Sequence, residues 1–492
     1  MKYRIIGIVV CVCIALGALA ATAMAQPNKH RVHQHLEAKN TPKCSTHGSD
    51  KFCTHLPVID IETDGVQIPG EPISDEKGKL LGYTKASDGS DRITARIKIV
   101  DHSDTRNHLD DAPTLETKST IHVRGNSSRY FDKKGYALNL ITDEGKNNPQ
   151  SVMGMDAHHE WVLHGPFLDK TLMRNYMWYN IAGEIMDYAP NVRFCEAFVN
   201  GEYQGVYVMT ESITAGENGS RLNLSVDKKD NTYSGYLLCL DRGDAYPEKK
   251  AETFTKYALR TVNELEIVYP GKSNITPELN KSISQDFSDF EKALYSYDFD
   301  NKLYGYKQLI DVDSFVDFFL INEFTCNYDA GWLSTYIYKD IDKKYRMCIW
   351  DFNSACDNYQ DSQINKDSFE FQNCLWYWML TKDHEFTDRI VKRYKELRKT
   401  YLSEEYLDGY IDDVRAYLGD AVQRNYERWK YTFGNDFKLL EPADRNPHSY
   451  KEAIDDMKNF ISVRGKNMDN NIESIRQYSA ESKVKKFIEN AN

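Results

Sequence analysis

The chain of 492 residues is 41% hydrophobic and 28% charged, which suits a sizeable core and argues against general disorder. A formal net charge of −12 gives no electrostatic reason for nucleic-acid binding, and none is expected. At this length the chain should form one large two-lobed unit or two to three domains.

The N-terminus reads as an address rather than as fold. Lys2 and Arg4 precede the apolar run "IIGIVVCVCIALGALAATAMA", and Ala23-Met24-Ala25 before Gln26 has the small-x-small form of a cleavage site. Residues 1–25 are therefore expected to be a cleaved signal peptide, giving a secreted or cell-surface protein with no membrane association afterwards. An uncleaved anchor is the alternative. Residues 26–52 are polar and read as a linker. Within it and just beyond, Cys44 and Cys53 bracket "CSTHGSDKFC", where they either close a disulfide, stay free, or join His47 around a metal. The six later cysteines show no C-x-x-C pairing, so structural zinc is not expected.

Strand patterns follow. "LPVIDIETDG" ends in an Asp-Gly turn, "ITARIKIVD" alternates on a period of two, and "STIHVRGNSSRYFDKKGYALNLI" reads as two strands joined by a polar turn. "NVRFCEAFVNGEYQGVYVMTESI" is a hairpin through Asn200-Gly201. "TYSGYLLCLDR" and "NELEIVYP" continue the strands. Helical spacing marks Asp169–Asp187, then "DVDSFVDFFLINEFTCN" from Asp311, which is apolar on nearly all sides and predicts a buried helix. The pattern is helical from Phe371 to about Tyr431, and again through "SYKEAIDDMKNFISVRGKNMDNNIESI". The predicted class is α+β, strand-rich first and mostly helical after.

Three stretches carry candidate chemistry. "RGNSSRYFDKKGY" gathers Arg124, Arg129, Lys133 and Lys134 around the turn containing Asn126, Ser127 and Ser128; its N–H groups and hydroxyls suit phosphate oxygens, although a solvated basic hairpin fits equally. Strand alternation puts Lys133 and Lys134 on opposite faces. "INEFTCNYDAGWLSTYIYKD" clusters Asn322, Glu323, Asn327 and Asp329 at the end of the buried helix, where a C-cap and turn is the plain alternative. "YRMCIWDFNSACD" follows "STYIYKD" after a short polar turn. The two predict a hairpin with Asp329 and Asp351 at one end, as a metal–nucleotide site requires, and Asn353 offers a neutral oxygen ligand. Paired aspartates also suit glycoside hydrolysis, but that leaves the basic turn without a task.

These stretches, with "WVLHGPFLDKTLMRNYMWYNIAGEI", "YAPNVRFCEAFVNGEYQGVYVMTESI", "GYLLCLDR" and "CIWDFNSA", resemble in their order the CotH family of atypical, protein-kinase-like proteins, over roughly residues 53–480. The resemblance implies a divergent two-lobed kinase-like fold, with a small lobe near 53–235, a large lobe near 236–480 and a polar tail at 481–492. It implies transfer of phosphate from ATP, with Mg²⁺ or Mn²⁺, to serine or threonine of a protein substrate, here an extracytoplasmic one. By this resemblance Asp351 holds the metal, Asp329 orients the acceptor hydroxyl, and "RGNSSR" through Lys134 covers the phosphates, with Lys133 as the other candidate contact. Glu184, on the small-lobe helix, becomes the candidate ion-pair partner of the lysine, and Glu211 lies near the cleft. Arg174 and Asn175 belong to a matching block but could simply lock the helix to the sheet. The alternative function is a catalytically inactive kinase-like module that binds the cell envelope or matrix.

Overall fold

Alternating β-branched residues and long apolar runs decide the first half of the chain. In the computed structural model, β1 (Val58–Glu62), β2 (Ile93–Val100), β3 (Leu115–Val123), β4 (Tyr136–Ile141), β5 (Glu160–His164), β6 (Val192–Val199) and β7 (Glu202–Glu211) close into a barrel. The order around it is β1-β6-β7-β5-β4-β3-β2. The β1–β6 pair is parallel, with Val58 opposite Glu196, and the other pairs are antiparallel. The expected strands all form, and Asn200-Gly201 makes the hairpin turn with φ of +49° and +77°. Closure into a barrel is the specific form that the strand-rich N-terminal part takes.

One set of alternate residues, among them Ile59, Ile97, Ile121, Leu138, Leu163 and Tyr207, fills the barrel. On β6 and β7 the other set is buried too, because Phe194, Val206 and Val208 face a second, larger core. Burial on both faces leaves only the last residue of β6 partly exposed. The cost of burying Glu196 there is offset by Arg424, whose Nη2 lies 2.6 Å from its carboxylate.

A five-stranded sheet follows: β8 (Tyr236–Asp241), β9 (Lys250–Ala251), β10 (Glu264–Tyr269), β11 (Thr335–Lys339) and β12 (Arg346–Cys348), in the order β9-β10-β8-β11-β12. The longer helices among the described residues are α1 (Arg174–Ile185), α2 (Pro277–Leu294), α3 (Val312–Thr325), α4 (His384–Leu397), α5 (Glu404–Leu418), α6 (Asp420–Trp429) and α7 (Tyr450–Asn471). Helix α1 starts five residues later than expected, because the Asp169 carboxylate accepts from the N–H of Thr171 and of Arg174 at 3.0 and 2.8 Å and turns the chain first. Helix α2 was not anticipated, although Thr276 caps it by accepting from the Leu279 N–H at 3.1 Å and Pro277 opens it. The helical run expected from Phe371 to Tyr431 is broken into pieces, with fresh N-caps at Asp383 and Ser403 and Gly419 separating α5 from α6.

The structure describes residues 31–38, 44, 52–216, 221–226, 234–243, 246–258 and 263–479. The expected signal peptide and C-terminal tail lie outside the described residues. Contacts separate Met1–His33 from a single unit, Gln34–Asn492, to which all the elements above belong. Gln34–Glu37 form a helical turn within the expected linker, and Gln34 is bonded to both the N–H and the carbonyl of Phe194 on β6. Cys53 carries a free thiol, so of the three readings of the Cys44–Cys53 stretch the disulfide is not formed. Among the described residues no helix is long and apolar enough to cross a membrane.

Candidate active site

The site is assembled around a hairpin and the helix that braces it. Strands β11 and β12 pair antiparallel with Tyr336 opposite Cys348, so Asp329, before one strand, and Asp351, after the other, emerge at the same end. Asp329 arrives there because α3 stops abruptly at Cys326, which adopts φ +47°. The amides of Trp332 and Leu333 then donate to the Asp329 carbonyl at 3.1 and 2.7 Å, fixing the turn. The neighbouring polar cluster divides. Asn322 and Asn327 bond each other at 3.1 Å as a helix-end lock, and Glu323 forms a buried ion pair with Arg464 while accepting from the Phe371 N–H at 2.7 Å. Of this cluster only Asp329 lines the cavity in which Asp351 also lies.

Asp351 sits at φ +53°, a left-handed conformation costing a non-glycine residue on the order of 1–3 kcal/mol. Helix α1 holds it there. The Asp351 N–H donates to Tyr179 Oη at 2.9 Å, and the Phe352 N–H donates to Asn175 Oδ1 at 2.7 Å. Asn175 also donates to Asn353 Oδ1 at 3.3 Å. Arg174, paired with buried Asp169, donates through Nε to the Ala355 carbonyl at 2.9 Å. Arg174 and Asn175 thus lock the helix to the Asp351 loop rather than to the sheet.

A cavity of about 450 Å³ collects these groups. The barrel lines it with Val162, His164 and Thr210, and the second sheet with Cys239, Asp241, Val268 and Tyr336. The turn Arg124–Ser128, Asp329, Asp351 and Asn353 line it together. Gly125, at φ +103°, cannot be replaced cheaply, since a Cβ there would fall 1.9 Å from Ser128 Oγ. Arg124 lies over the Trp350 ring, 5.5 Å from its centroid, beside Asp351. Arg242 and Lys249 supply the cavity's other cations.

Burial shows in the carboxylates. Burial, and then the charge of Asp351, push Asp329 up to about 6. Burial raises Asp351 as well, against the opposing pull of Arg124. Burial and Arg124 push the His164 imidazole down to about 4, so it is neutral at physiological pH.

The remaining expected residues lie elsewhere. Lys133 is 2% exposed and donates to the Val206 carbonyl at 2.5 Å and to Asn425 Oδ1 at 2.8 Å, which ties the barrel to α6. Lys134 donates to the Arg129 carbonyl at 2.9 Å and lies 3.8 Å from Glu71. Glu184 accepts from Tyr401 Oη at 3.2 Å, and Glu211 accepts from the Asn191 N–H at 2.9 Å. None of these four lines the cavity, and the expected lysine–glutamate pair is not formed. Asp357 fixes its own loop, accepting from the Ile364 N–H at 3.1 Å. Sequence reasoning gave no role to Asp241, whose charge raises both Asp329 and Asp351, or to His164. The available signal for Asp241 was an apolar strand, "GYLLCLDR", ending in a carboxylate just as "CIWD" does.

Four carboxylates, Asp241, Glu266, Asp329 and Asp351, share one cavity with guanidinium and ammonium groups and with apolar walls on either side, the character of an enzyme-type cleft. A family model described as CotH kinase protein matches residues 121–468, and the chain belongs to that family. The match runs from within β3 to within α7 and so includes every cavity-lining group named above. Membership makes the protein kinase-like in class, and kinases in general use ATP with a divalent cation. No curated protein matches the chain.

Proposed function

We propose that the protein transfers the γ-phosphoryl group of ATP to a serine or threonine hydroxyl of an extracytoplasmic protein, on a divergent two-lobed kinase-like fold. The observation that carries this reading is the shared cavity, in which the basic turn Arg124–Ser128, Asp329 and the Asp351–Asn353 loop meet. Walls contributed by the barrel and by the second sheet support the two-lobed description.

The donor set fits a divalent cation. Asp351 and Asn353 offer oxygen donors on one loop, Asp241 lines the same cavity, and burial raises both Asp329 and Asp351, a penalty that a bound cation would relieve. When bound, the cation neutralises phosphate charge. The protein's own groups do the rest. Arg124 sits beside Asp351 with its guanidinium over Trp350, placed to pair with phosphate oxygens in the role expected of a lysine. The N–H groups and hydroxyls of the Asn126–Ser128 turn line the same cavity and suit further phosphate oxygens. Val162, Leu168 and Val268 offer an apolar face for the base.

Asp329 accepts the proton of the acceptor hydroxyl as that oxygen attacks the γ-phosphorus. The bond to the β-bridging oxygen breaks, ADP leaves and a phosphate ester remains. A carboxylate near 6 is well matched to that proton transfer at neutral pH.

The test is phosphate incorporation from ATP with Mg²⁺ or Mn²⁺, into the protein itself or a serine/threonine-rich acceptor, read by mass analysis beside nucleotide affinity. Arg124→Gln should weaken ATP binding at least tenfold, on the order of a lost charge-assisted hydrogen bond. Lys133→Met should bind ATP within about twofold of wild type, since Lys133 does not line the cavity. Loss of binding in Lys133→Met with none in Arg124→Gln would return the phosphate role to the lysine. Absence of any transfer would favour the inactive binding module.

A further inference from the structure

The proposed phosphoryl transfer leaves a second cavity unused. It measures about 600 Å³ and adjoins the first, with Asp329 and Arg242 lining both. Its character differs. Tyr328, Trp332, Leu333, Ile364 and Phe371 dominate the walls. Tyr328 and Trp332 are 53% and 41% exposed, which is unusual for large aromatics that converge on one hollow instead of being scattered over the surface.

These aromatics are rigidly placed with respect to the proposed base. Tyr328 is its chain neighbour and stacks on Tyr359 at 4.1 Å between centroids. The Trp332 and Leu333 amides both donate to the Asp329 carbonyl, and Asn263 Nδ2 donates to the Trp332 carbonyl at 2.6 Å. One loop therefore positions the carboxylate and the apolar wall together. The charge in that wall is low. Glu323 is neutralised by Arg464, and among the described residues the only other acidic or basic side chains lining the cavity are Asp329, Arg242 and Glu370. Neither a strongly basic nor a strongly acidic segment finds complementary charge there.

We infer that the second cavity receives the acceptor: the substrate protein seats an apolar, preferentially aromatic side chain in it, within two residues of the serine or threonine whose hydroxyl meets Asp329. Successive Cα atoms lie about 3.8 Å apart, so a hydroxyl held at Asp329 places its neighbours' side chains within reach of the adjoining hollow. The volume is in the range of pockets that enclose ligands larger than one side chain, so the pocket has room for an indole or phenyl group and adjacent backbone.

This inference rests on the kinase reading, and one experiment separates the two. The full chain with Mg²⁺ and ATP is offered synthetic peptides with a single serine, in which each position within two residues is set in turn to Ala, Leu, Trp, Lys or Glu. Trp- or Leu-flanked peptides should exceed Ala-flanked ones at least tenfold in kcat/KM, with Lys and Glu giving no advantage. Trp332→Ala and Leu333→Ser should each raise the KM of the Trp- and Leu-flanked peptides and erase that preference, while ATP affinity stays unchanged. Phosphorylation indifferent to the flanks, a preference for charged flanks, or a preference surviving both substitutions overturns the inference alone. No phosphate on any peptide overturns the kinase reading, and the inference with it.

Discussion

Asp351→Asn should abolish metal-dependent ATP binding and lower phosphate transfer by on the order of 10²–10³-fold, the usual cost of removing one electrostatic contributor to a transition state. The substitution changes charge while nearly preserving shape. Two backbone bonds that hold the loop, from Asp351 N–H to Tyr179 and from Phe352 N–H to Asn175, do not involve the carboxylate, and the third, from Asn353 N–H to Asp351 Oδ1 at 3.4 Å, can be kept by an amide oxygen. Asparagine also tolerates the left-handed φ of +53° better than most residues, so the variant should fold. Its loop is then intact while the proposed cation ligand is gone, and burial no longer works against an ionised group. The check is calorimetric titration of ATP with and without Mg²⁺, alongside mass analysis of incorporated phosphate. A folded variant with normal incorporation would sink the assignment of Asp351, whatever became of the family's chemistry.

Local pattern made the chemistry-bearing hairpin legible. "STYIYKD" and "YRMCIWD" are short strands with a polar turn between them, and antiparallel pairing follows from that alone, carrying Asp329 and Asp351 to one end. The same locality misled at the lysines. Lys133 and Lys134 precede β4, where strand alternation does not yet apply, and Lys133 is captured by Asn425, 292 residues further along the chain. No spacing rule anticipates such a partner. Arg124, at the end of β3 and in the same motif, reaches the cavity instead. Barrel closure was hidden for a related reason. It depends on the parallel pairing of β1 with β6, more than a hundred residues apart, and both strands look like any half-buried strand until paired. Helix α2 was missed despite its Thr276-Pro277 start, a local signal that was present and passed over. Asp241 was legible only as a strand end. Its meaning came from β8 lying beside β11 in the second sheet, which carries it toward Asp329 and Asp351.

Asp329→Asn should reduce kcat by roughly 10²–10⁴-fold, the range for a lost general base, with little change in ATP affinity. It should also make the protein more stable, which a residue serving the fold would not do. An unfolded aspartate titrates near 3.8, whereas burial and Asp351 move Asp329 to about 6. Between those values the folded state binds more protons than the unfolded chain, so stability falls as pH rises through that window. The penalty is fully present above pH 6 and absent below 3.8. It amounts to about 1–2 kcal/mol once partial exposure is allowed for. Asparagine carries no such penalty. The variant should therefore melt a few degrees above wild type at pH 7.5, with the gap closing as pH approaches 4. A variant that is both slower and more stable identifies a carboxylate held in place for reaction at the expense of stability. Equal melting at every pH, or retained transfer, would move the base to another of the cavity's carboxylates, with Asp241 the first to examine.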